Sequence, residues 1–255
     1  MGVSLVIKKT SIDKIYVLSV RSFFDRIEHI KNELGKHNIK FEFIFDYDID
    51  QIELDPIIQK KFSHSRLSNS HISLILKHIQ AWKNCVTHNY NSILVLEDDV
   101  ILHKEFPTKL LKIQKRSTYL LPGFLIFLGG RDTRVPLEFL LSNDILFKNN
   151  LPTADGYLTD LEACKKRLEW LEHNLINEPA DHLINRIDKS TGNQIYWARQ
   201  NLVEQGSVFG LFESKLDNKR KLKSKYHNLI RYHIKIFTRR FLKKSIAKAL
   251  FKKVK

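Results

Sequence analysis

Apolar runs of strand length alternate with stretches of helical periodicity along the first 200 residues. Strands are predicted at residues 15–18, 41–45, 93–96, 124–128 and 194–198. The run at 93–96 is apolar throughout, which is typical of a central strand covered on both faces. Strands that alternate with helices in this way predict an α/β protein with a mostly parallel sheet flanked by helices.

The most regular helical pattern lies between residues 70 and 88. Its apolar side chains fall at offsets 0, 3, 7, 10 and 14, on Ile72, Ile75, Ile79, Trp82 and Val86. They form one stripe that would lie against a sheet.

Two further helices are predicted from their start signals. Ser22, with Asp25 three residues later, is typical of an N-cap followed by an acid near the positive end of the helix dipole, and Gly35 is the expected end. The sequence Thr-Asp-Leu-Glu at 159–162 has the form of a capping box and predicts a second helix start.

Charge divides the chain near residue 214. The sequence has 43 Lys and Arg against 28 Asp and Glu, a net charge of +15. Residues 215–255 contain 16 of the basic residues and one acid, whereas residues 1–214 contain 27 of each sign. We therefore predict one globular domain over residues 1–214 and a basic tail over residues 215–255.

Composition narrows the class of protein. A hydrophobic fraction of 43% with 11% aromatic residues is enough for a packed core and excludes wholesale disorder. Two cysteines, Cys85 and Cys164, form no disulfide framework or metal-site spacing and fit a reducing compartment. The N-terminus does not follow the pattern of a signal peptide, and no window approaches the roughly 20 apolar residues of a membrane span. We expect a soluble or surface-bound intracellular protein.

Three acids, Glu97, Asp98 and Asp99, directly follow the central predicted strand. Ligands of open α/β sheets bind at this carboxyl edge, and carboxylates there suit Mg²⁺ or Mn²⁺ bridging to phosphate oxygens. The order of the acids predicts Asp98 and Asp99 on the metal side and Glu97 towards the body of the fold. A strand end capped by solvated acids is the alternative.

A second strand end carries the sequence Gly-Gly-Arg-Asp at 129–132. Glycine allows a close approach of the backbone to a ligand, and Arg131 is a candidate phosphate contact. A tight turn with a surface ion pair is the alternative.

The string ILVLEDDV at 93–100 resembles glycosyltransferase family 25, of the type found in bacterial lipopolysaccharide and lipooligosaccharide galactosyltransferases. The resemblance covers about residues 12–212. Its further motifs are Val20-Arg21-Ser22 with Arg26, Leu67-Ser68, Lys77-His78, Trp82, ADGYLTDLEA at 154–163, Pro179-Ala180-Asp181 and Gln205-Gly206-Ser207. The chain departs from the family pattern at 70–74, where it has Ser-His-Ile-Ser-Leu and many relatives have Gly-Glu-x-Gly-Cys.

The resemblance implies a GT-A-like, Rossmann-type fold and a nucleotide-sugar donor, with Mn²⁺ or Mg²⁺ held by the DxD-like pair Glu97 and Asp99. Such a metal neutralises the charge that develops on the leaving diphosphate. Relatives of this type are inverting, so a carboxylate is expected to deprotonate the acceptor hydroxyl. Asp181, from the Pro-x-Asp match, is the first candidate for this base, and Asp155 is the second.

Donor contacts are expected from the residues at the remaining matched motifs and strand ends. These are Arg21, Arg26, His78, Glu97, Asp98 and Arg131. His182 is a further candidate ligand for metal or phosphate, with a structural or exposed histidine as the alternative.

The predicted activity is transfer of a hexose, galactose from UDP-galactose, to a lipopolysaccharide core or lipooligosaccharide acceptor. The choice of galactose follows from the resemblance alone. A phosphohydrolase would need a nucleophilic Asp with a second Asp two residues later, and residues 97–100 lack that spacing. A non-enzymatic membrane- or nucleic-acid-binding protein on an α/β scaffold is the alternative.

The tail has the pattern of a cationic amphipathic helix. Its apolar positions are Ile230, Ile234, Phe237, Phe241, Ile246, Leu250 and Val254, with Lys and Arg between them. Such helices lie in the interface of anionic membranes, so we expect a cytoplasmic protein held at the inner face of the inner membrane, beside a glycolipid acceptor. Nucleic acid is not expected, because the body lacks a recognition motif and the aromatic residues fall on the apolar stripe. A solvated tail is the alternative.

Overall fold

The computed structural model describes residues 12–53, 55–129, 144–148, 152–208 and 211–212, together with positions 230, 234 and 237. Among these residues the strands are β1 (Lys14–Leu18), β2 (Glu42–Ile44), β3 (Ser92–Glu97), β4 (Val100–Leu102), β5 (Phe124–Phe127), β6 (Leu146–Lys148), β7 (Gly156–Asp160), β8 (Gln194–Ala198) and β9 (Val203–Gln205). The helices are α1 (Phe24–Gly35), α2 (Ile49–Glu53), α3 (Pro56–Lys61), α4 (Asn69–Thr87), α5 (Phe106–Ser117), α6 (Leu161–His173) and α7 (Ala180–Ser190), followed by a 3₁₀ turn at Gly206–Val208.

Seven strands form the main sheet in the order β2-β1-β3-β7-β5-β8-β6, and β4 pairs with β9 in a separate ribbon. Strand β1 is parallel to both β2 and β3, and β5 is parallel to β8. Strand β7 is antiparallel to both of its neighbours, β3 and β5, so β5 points in the same direction as β3. Because only β6 and β7 run against the other five strands, the predicted α/β class with a mostly parallel sheet is confirmed.

Helices cover both faces of the sheet. On β3, Ile93 and Val95 pack on one face, whereas Leu94 and Leu96 pack on the other, and all four side chains are fully buried. The first face is covered by α4, α6 and α7, and the second by α1 and α5. A strand buried on both faces has no polar alternation, which is why the sequence of β3 is continuously apolar.

The predicted strands and the helix over residues 70–88 lie where expected, and helices begin close to the two predicted start signals, at Phe24 and Leu161, but the predicted capping residues are wrong. Ser22 does not cap α1, because Phe23 N donates to Val20 O and the intervening residues form a tight turn. Phe23 is the N-cap residue and makes no side-chain cap hydrogen bond. The second helix is capped by Asp160, whose carboxylate accepts from Ala163 N, rather than by Thr159.

Asp160 also fixes the start of the neighbouring strand. Its two carboxylate oxygens accept from the backbone N–H groups of Gly123 and Phe124, at 2.8 and 3.0 Å. Gly123 has φ +89°, a left-handed conformation that glycine adopts without steric cost. This turn therefore joins the start of α6 to the start of β5.

In the tail, positions 230, 234 and 237 are helical and their apolar side chains are more than half exposed. The rest of the predicted tail helix lies outside the described residues. None of the helices in the described part of the chain has the length and apolar character that crossing a bilayer requires.

Candidate active site

A cavity of about 640 Å³ opens where β1 and β3 end. Its lining comes from the turn after β1, the first turn of α1, the start of α2, one face of α4, the Glu97–Asp99 triplet, and the end of β9 with the turn that follows it. The carboxyl edge of parallel strands is where open α/β folds bind ligands. We therefore take this cavity as the candidate active site.

Asp98 has both carboxylate oxygens engaged by the fold. The Ser19 hydroxyl donates to Oδ2 at 2.8 Å, and Arg26 Nη1 donates to Oδ1 at 3.0 Å. Burial raises the pKa of Asp98, while Arg26 and Ser19 favour its ionised form. Asp98 lines the cavity, and the expectation that it lies on the metal side stays a prediction; both of its oxygens also accept hydrogen bonds from the fold.

Asp99 presents a different environment within the same turn. Its side chain is 2% exposed, and its Oδ2 accepts from Ser207 N at 3.2 Å. Within the described part of the chain, its Oδ1 is buried with no hydrogen-bond partner. A buried carboxylate oxygen without a partner is energetically costly, so this atom is a natural position for a cation.

Glu97 lines the cavity, although the order of the triplet predicted that it faces the body of the fold. Burial raises its pKa well above the ordinary range, and the negative charges of Asp99, Asp155 and Asp98 add to the effect. A carboxylate in such surroundings gains most from a nearby cation, which would offset both burial and repulsion.

The donor set fits a divalent cation that shares its ligands with a phosphate. Glu97 and Asp99 offer hard carboxylate oxygens, and one Asp99 oxygen has no partner among the residues that the structure describes. Within the described residues, no cluster of three or more His, Cys, Asp or Glu side chains is arranged to hold a metal by itself. Mg²⁺ and Mn²⁺ sites that use one or two carboxylates together with substrate phosphates need no such cluster.

Cationic side chains also line the cavity: Arg21, Arg26 and Lys77. Lys77 is 2% exposed, and its Nζ donates to Asp48 Oδ1 and to Asp46 O, each at 2.7 Å. Burial lowers the pKa of Lys77, an effect that the hydrogen bond to Asp48 opposes. Arg21 N donates to Asp48 Oδ2 at 3.1 Å, so Asp48 joins the turn after β1 to α4.

Arg26 is held between aromatic rings as well as by Asp98. Its guanidinium carbon lies 5.3 Å from the centre of the Phe23 ring and 5.5 Å from that of Phe212. Phe212 also makes an edge contact with His29 of α1, at 5.0 Å between ring centres. Residues just before the basic tail therefore help to position an arginine of the cavity.

The backbone after β9 closes on the acidic turn. Gly206 N donates to Asp99 O at 2.7 Å. A Cβ added at Gly206 would lie 2.5 Å from the same oxygen, so this close approach requires glycine. Gln205 and Ser207 line the cavity, as the family resemblance implied for this motif.

The structure does not bring every predicted residue into the cavity. His78 is 1% exposed and lies in the core, where its Nδ1 is 3.0 Å from the Tyr157 hydroxyl and its ring stacks on the Tyr157 ring. Its predicted donor contact is corrected, because this position on α4 faces the sheet. Arg131 lies outside the described residues.

The two candidate bases occupy different places. Asp155 is buried next to the triplet: its backbone oxygen accepts from Glu97 N at 3.0 Å, and its Oδ1 accepts from the Thr153 hydroxyl. Asp181 is half-buried in the first turn of α7, where its Oδ1 accepts from His182 N, and it is not among the residues that line the cavity. His182 is exposed.

Several cavity residues were not predicted from the sequence. Ser19, Asp48 and Lys77 hold the cavity walls together, and Phe212 covers Arg26. On α4, Ser70, Ser73, Leu74 and Lys77 fall at offsets 0, 3, 4 and 7 and line the cavity together. This second helical stripe beside the apolar one is the signal that could have found Lys77.

A family model described as glycosyltransferase family 25 (LPS biosynthesis protein) matches residues 12–184, which is more than half of the chain. The chain belongs to glycosyltransferase family 25. The resemblance inferred from ILVLEDDV and its companion motifs is thereby confirmed. Gln205, Ser207 and Phe212 lie beyond the matched segment, although they complete the cavity of this family 25 protein.

Curated relatives match this chain over only part of its length. The lipooligosaccharide biosynthesis protein lic2B of Haemophilus influenzae is 34% identical over 90 residues, which cover 34% of this chain and 34% of lic2B. Procollagen galactosyltransferase 2 of Homo sapiens is 25% identical over 175 residues, covering 62% of this chain and 28% of that protein. The chain thus spans about a third of the length of these relatives.

Two solved structures of glycosyltransferases also match this chain. The galactosyltransferase LgtC, in complex with donor and acceptor sugar analogs, matches with a TM-score of 0.39 at 12% identity, over 72% of this chain and 73% of LgtC. GlyE of Streptococcus pneumoniae TIGR4 matches with a TM-score of 0.41 at 10% identity, over 87% and 63% of the two chains. Family membership follows from the sequence match.

Proposed function

We propose that this protein is an inverting, metal-dependent glycosyltransferase that transfers galactose from UDP-galactose to a lipopolysaccharide core or lipooligosaccharide acceptor. The observation that carries the proposal is the buried, unpartnered Oδ1 of Asp99 at the carboxyl edge of the sheet, inside a cavity large enough for a nucleotide sugar. Family membership supports glycosyl transfer as the reaction.

Glu97 and Asp99 are the residues proposed to hold Mn²⁺ or Mg²⁺. The bound ion would neutralise the negative charge that develops on the leaving UDP. Asp98 takes no direct part in binding the ion in this proposal, because it fixes Arg26 at the edge of the cavity. The neighbouring acids raise the pKa of Glu97, so a cation would stabilise its ionised form.

The cationic wall is proposed to bind the diphosphate. Arg26 is oriented by Asp98 and two rings, which lowers the entropy lost when it contacts an anion. Lys77 is paired with Asp48 at 2.7 Å inside the fold, and Arg21 is exposed and lines the cavity. Preorganised cations of this kind stabilise the charge of a leaving diphosphate.

An inverting transfer needs a base beside the acceptor hydroxyl, and we propose a comparison of Asp155 with Asp181. Asp155 lies against the acidic triplet, whereas Asp181 matches the family's Pro-x-Asp motif. Asp155→Asn and Asp181→Asn should differ in kcat for transfer while both retain UDP binding. The variant that loses kcat identifies the base.

The choice of donor and acceptor follows from the relatives. The name of procollagen galactosyltransferase 2 supports a galactose donor, and the name of the lipooligosaccharide biosynthesis protein lic2B supports a glycolipid acceptor. The basic tail is proposed to hold the enzyme at an anionic membrane, at the inner face of the inner membrane, where such an acceptor would be embedded.

The test is release of UDP from a panel of UDP-sugars by the purified full chain, with and without Mn²⁺. Wild type should release UDP from one donor of the panel, and this release should require metal. Asp99→Asn should lower this rate about a hundredfold or more, because the metal loses a charged ligand. The matched control is Glu169→Gln, which removes one negative charge on the exposed face of α6.

Two outcomes would contradict the proposal. One is the absence of both UDP release and UDP binding for every donor in the panel. The other is metal-dependent release that Asp99→Asn leaves at the level of Glu169→Gln. Release of UDP from a donor other than UDP-galactose would retain the glycosyltransferase and replace only the sugar.

A further inference from the structure

The outward side of α5 combines basic and apolar residues. Phe106, Leu110 and Ile113 face inward and are buried in the core on that side of the sheet. The α5 surface is defined here by the exposed residues of the helix and the turn after it: Leu111, Lys112, Lys115, Arg116, Tyr119 and Leu121. It lies outside the set of residues that line the candidate active site.

The apolar members of the α5 surface are about half exposed or more. Leu111 is 49% exposed, Tyr119 is 81% exposed and Leu121 is 74% exposed. Single exposed apolar residues are common, but these three fall within 11 positions of one helix and its following turn. Because these side chains are exposed, an apolar environment outside the protein could bury them.

The charge of this segment is entirely positive. From Phe106 to Gly129 the sequence has four Lys or Arg and no acid, although residues 1–214 as a whole carry equal numbers of each. Lys109 pairs with Glu105 at 3.3 Å. Across the described part of the chain, Lys112, Lys115 and Arg116 have no acidic partner in an ion pair. Their charges therefore remain available to an external anion.

The α5 surface and helix α1 lie on the same face of the sheet. Helices α4, α6 and α7 cover the opposite face.

We propose that the α5 surface binds an anionic lipid bilayer, independently of the tail. Lys and Arg attract anionic headgroups, while exposed Leu and Tyr side chains enter the boundary between headgroups and acyl chains. Charge complementarity selects an anionic partner, and the aliphatic residues Leu111 and Leu121 favour lipid over the phosphate backbone of a nucleic acid.

The experiment measures binding of the full chain to vesicles of phosphatidylglycerol and phosphatidylethanolamine, and to vesicles of phosphatidylcholine. The test variant carries Lys112→Glu, Lys115→Glu and Arg116→Glu. The control variant carries Lys83→Glu, Lys165→Glu and Lys189→Glu, three exposed lysines on α4, α6 and α7. Both variants change the net charge equally, and all six positions are exposed, so circular dichroism should show the same folded state.

The proposal predicts that the test variant binds the anionic vesicles about a hundredfold more weakly than wild type, while the control variant stays within a few-fold of wild type. Equal loss in both variants would overturn it, since net charge alone would then explain binding. Unchanged binding of the test variant would also overturn it. Selective loss of binding to a single-stranded oligonucleotide, with vesicle binding intact, would assign the surface to nucleic acid instead. None of these results depends on transferase activity.

Discussion

His78 should make the protein less stable in mild acid. It lies in the core against Tyr157, and burial, with a smaller effect from Arg167, lowers its pKa to about 3. In the unfolded chain the pKa is about 6.5, so unfolding takes up a proton whenever the pH lies below that value. Because the folded protein keeps His78 neutral, the free energy of unfolding decreases as the pH falls from 6.5 towards 3. Between pH 7 and pH 5 this one group should cost about 2 kcal/mol of unfolding free energy.

The assay is denaturant unfolding of wild type and His78→Gln at pH 7 and pH 5. Glutamine does not titrate, so the variant should show a pH dependence smaller by about 2 kcal/mol than that of wild type. His64→Gln, an exposed histidine, should leave the wild-type dependence unchanged. Equal pH dependence in wild type and His78→Gln would refute the assignment of His78 to the core. So would a large rise in the KM for donor with the stability profile unchanged.

Two further substitutions test the fold beneath the site. Arg167 and Asp188 are fully buried and share two hydrogen bonds, each 2.7 Å long. Arg167→Met should lower the free energy of unfolding by about 3–5 kcal/mol in a thermal or denaturant melt, because it leaves Asp188 charged and unpaired. A loss below about 1 kcal/mol would contradict this expectation. Gly206→Ala should cost about 1–3 kcal/mol and lower metal-dependent UDP release, because its Cβ would lie 2.5 Å from Asp99 O. Gly35→Ala, which meets nothing within 4 Å, is its control, and equal activity of the two variants would count against the clash.

The sequence predicted the fold class because its strongest signals come from burial. Strand β3 is covered on both faces and its sequence is continuously apolar, and the stripe of α4 packs on one face of the sheet. Short or strongly basic elements were not predicted. Helix α5 exposes Leu111 among its basic residues, which blurs its apolar periodicity, and the six residues of α3 are too few to show one.

Within the site, prediction succeeded for residues adjacent in sequence to a recognisable motif. Glu97 and Asp99 line the cavity because they follow a buried strand, and Arg26 reaches it from the first turn of α1. His78 was wrongly predicted to lie in the site. Lys77 and His78 are consecutive, but on α4 the lysine points to the cavity and the histidine points to the core. A dipeptide motif does not distinguish these directions, whereas helical geometry does, since neighbours differ by about 100° around the axis.

Contacts between distant segments decide what each acid of the triplet can do. Asp98 is bound to Ser19 and Arg26, which lie 79 and 72 positions away, and Asp99 accepts from Ser207, which lies 108 positions away. Three consecutive carboxylates look equivalent in sequence, but the first is destabilised by burial and by its neighbours, the second is fully engaged, and the third keeps one oxygen without a partner. Because Ser207 lies beyond residues 12–184, the environment of Asp99 depends on a residue outside the segment that the family model matches. Truncation before residue 205 should therefore alter the surroundings of Asp99, the proposed metal ligand, as well as remove the tail.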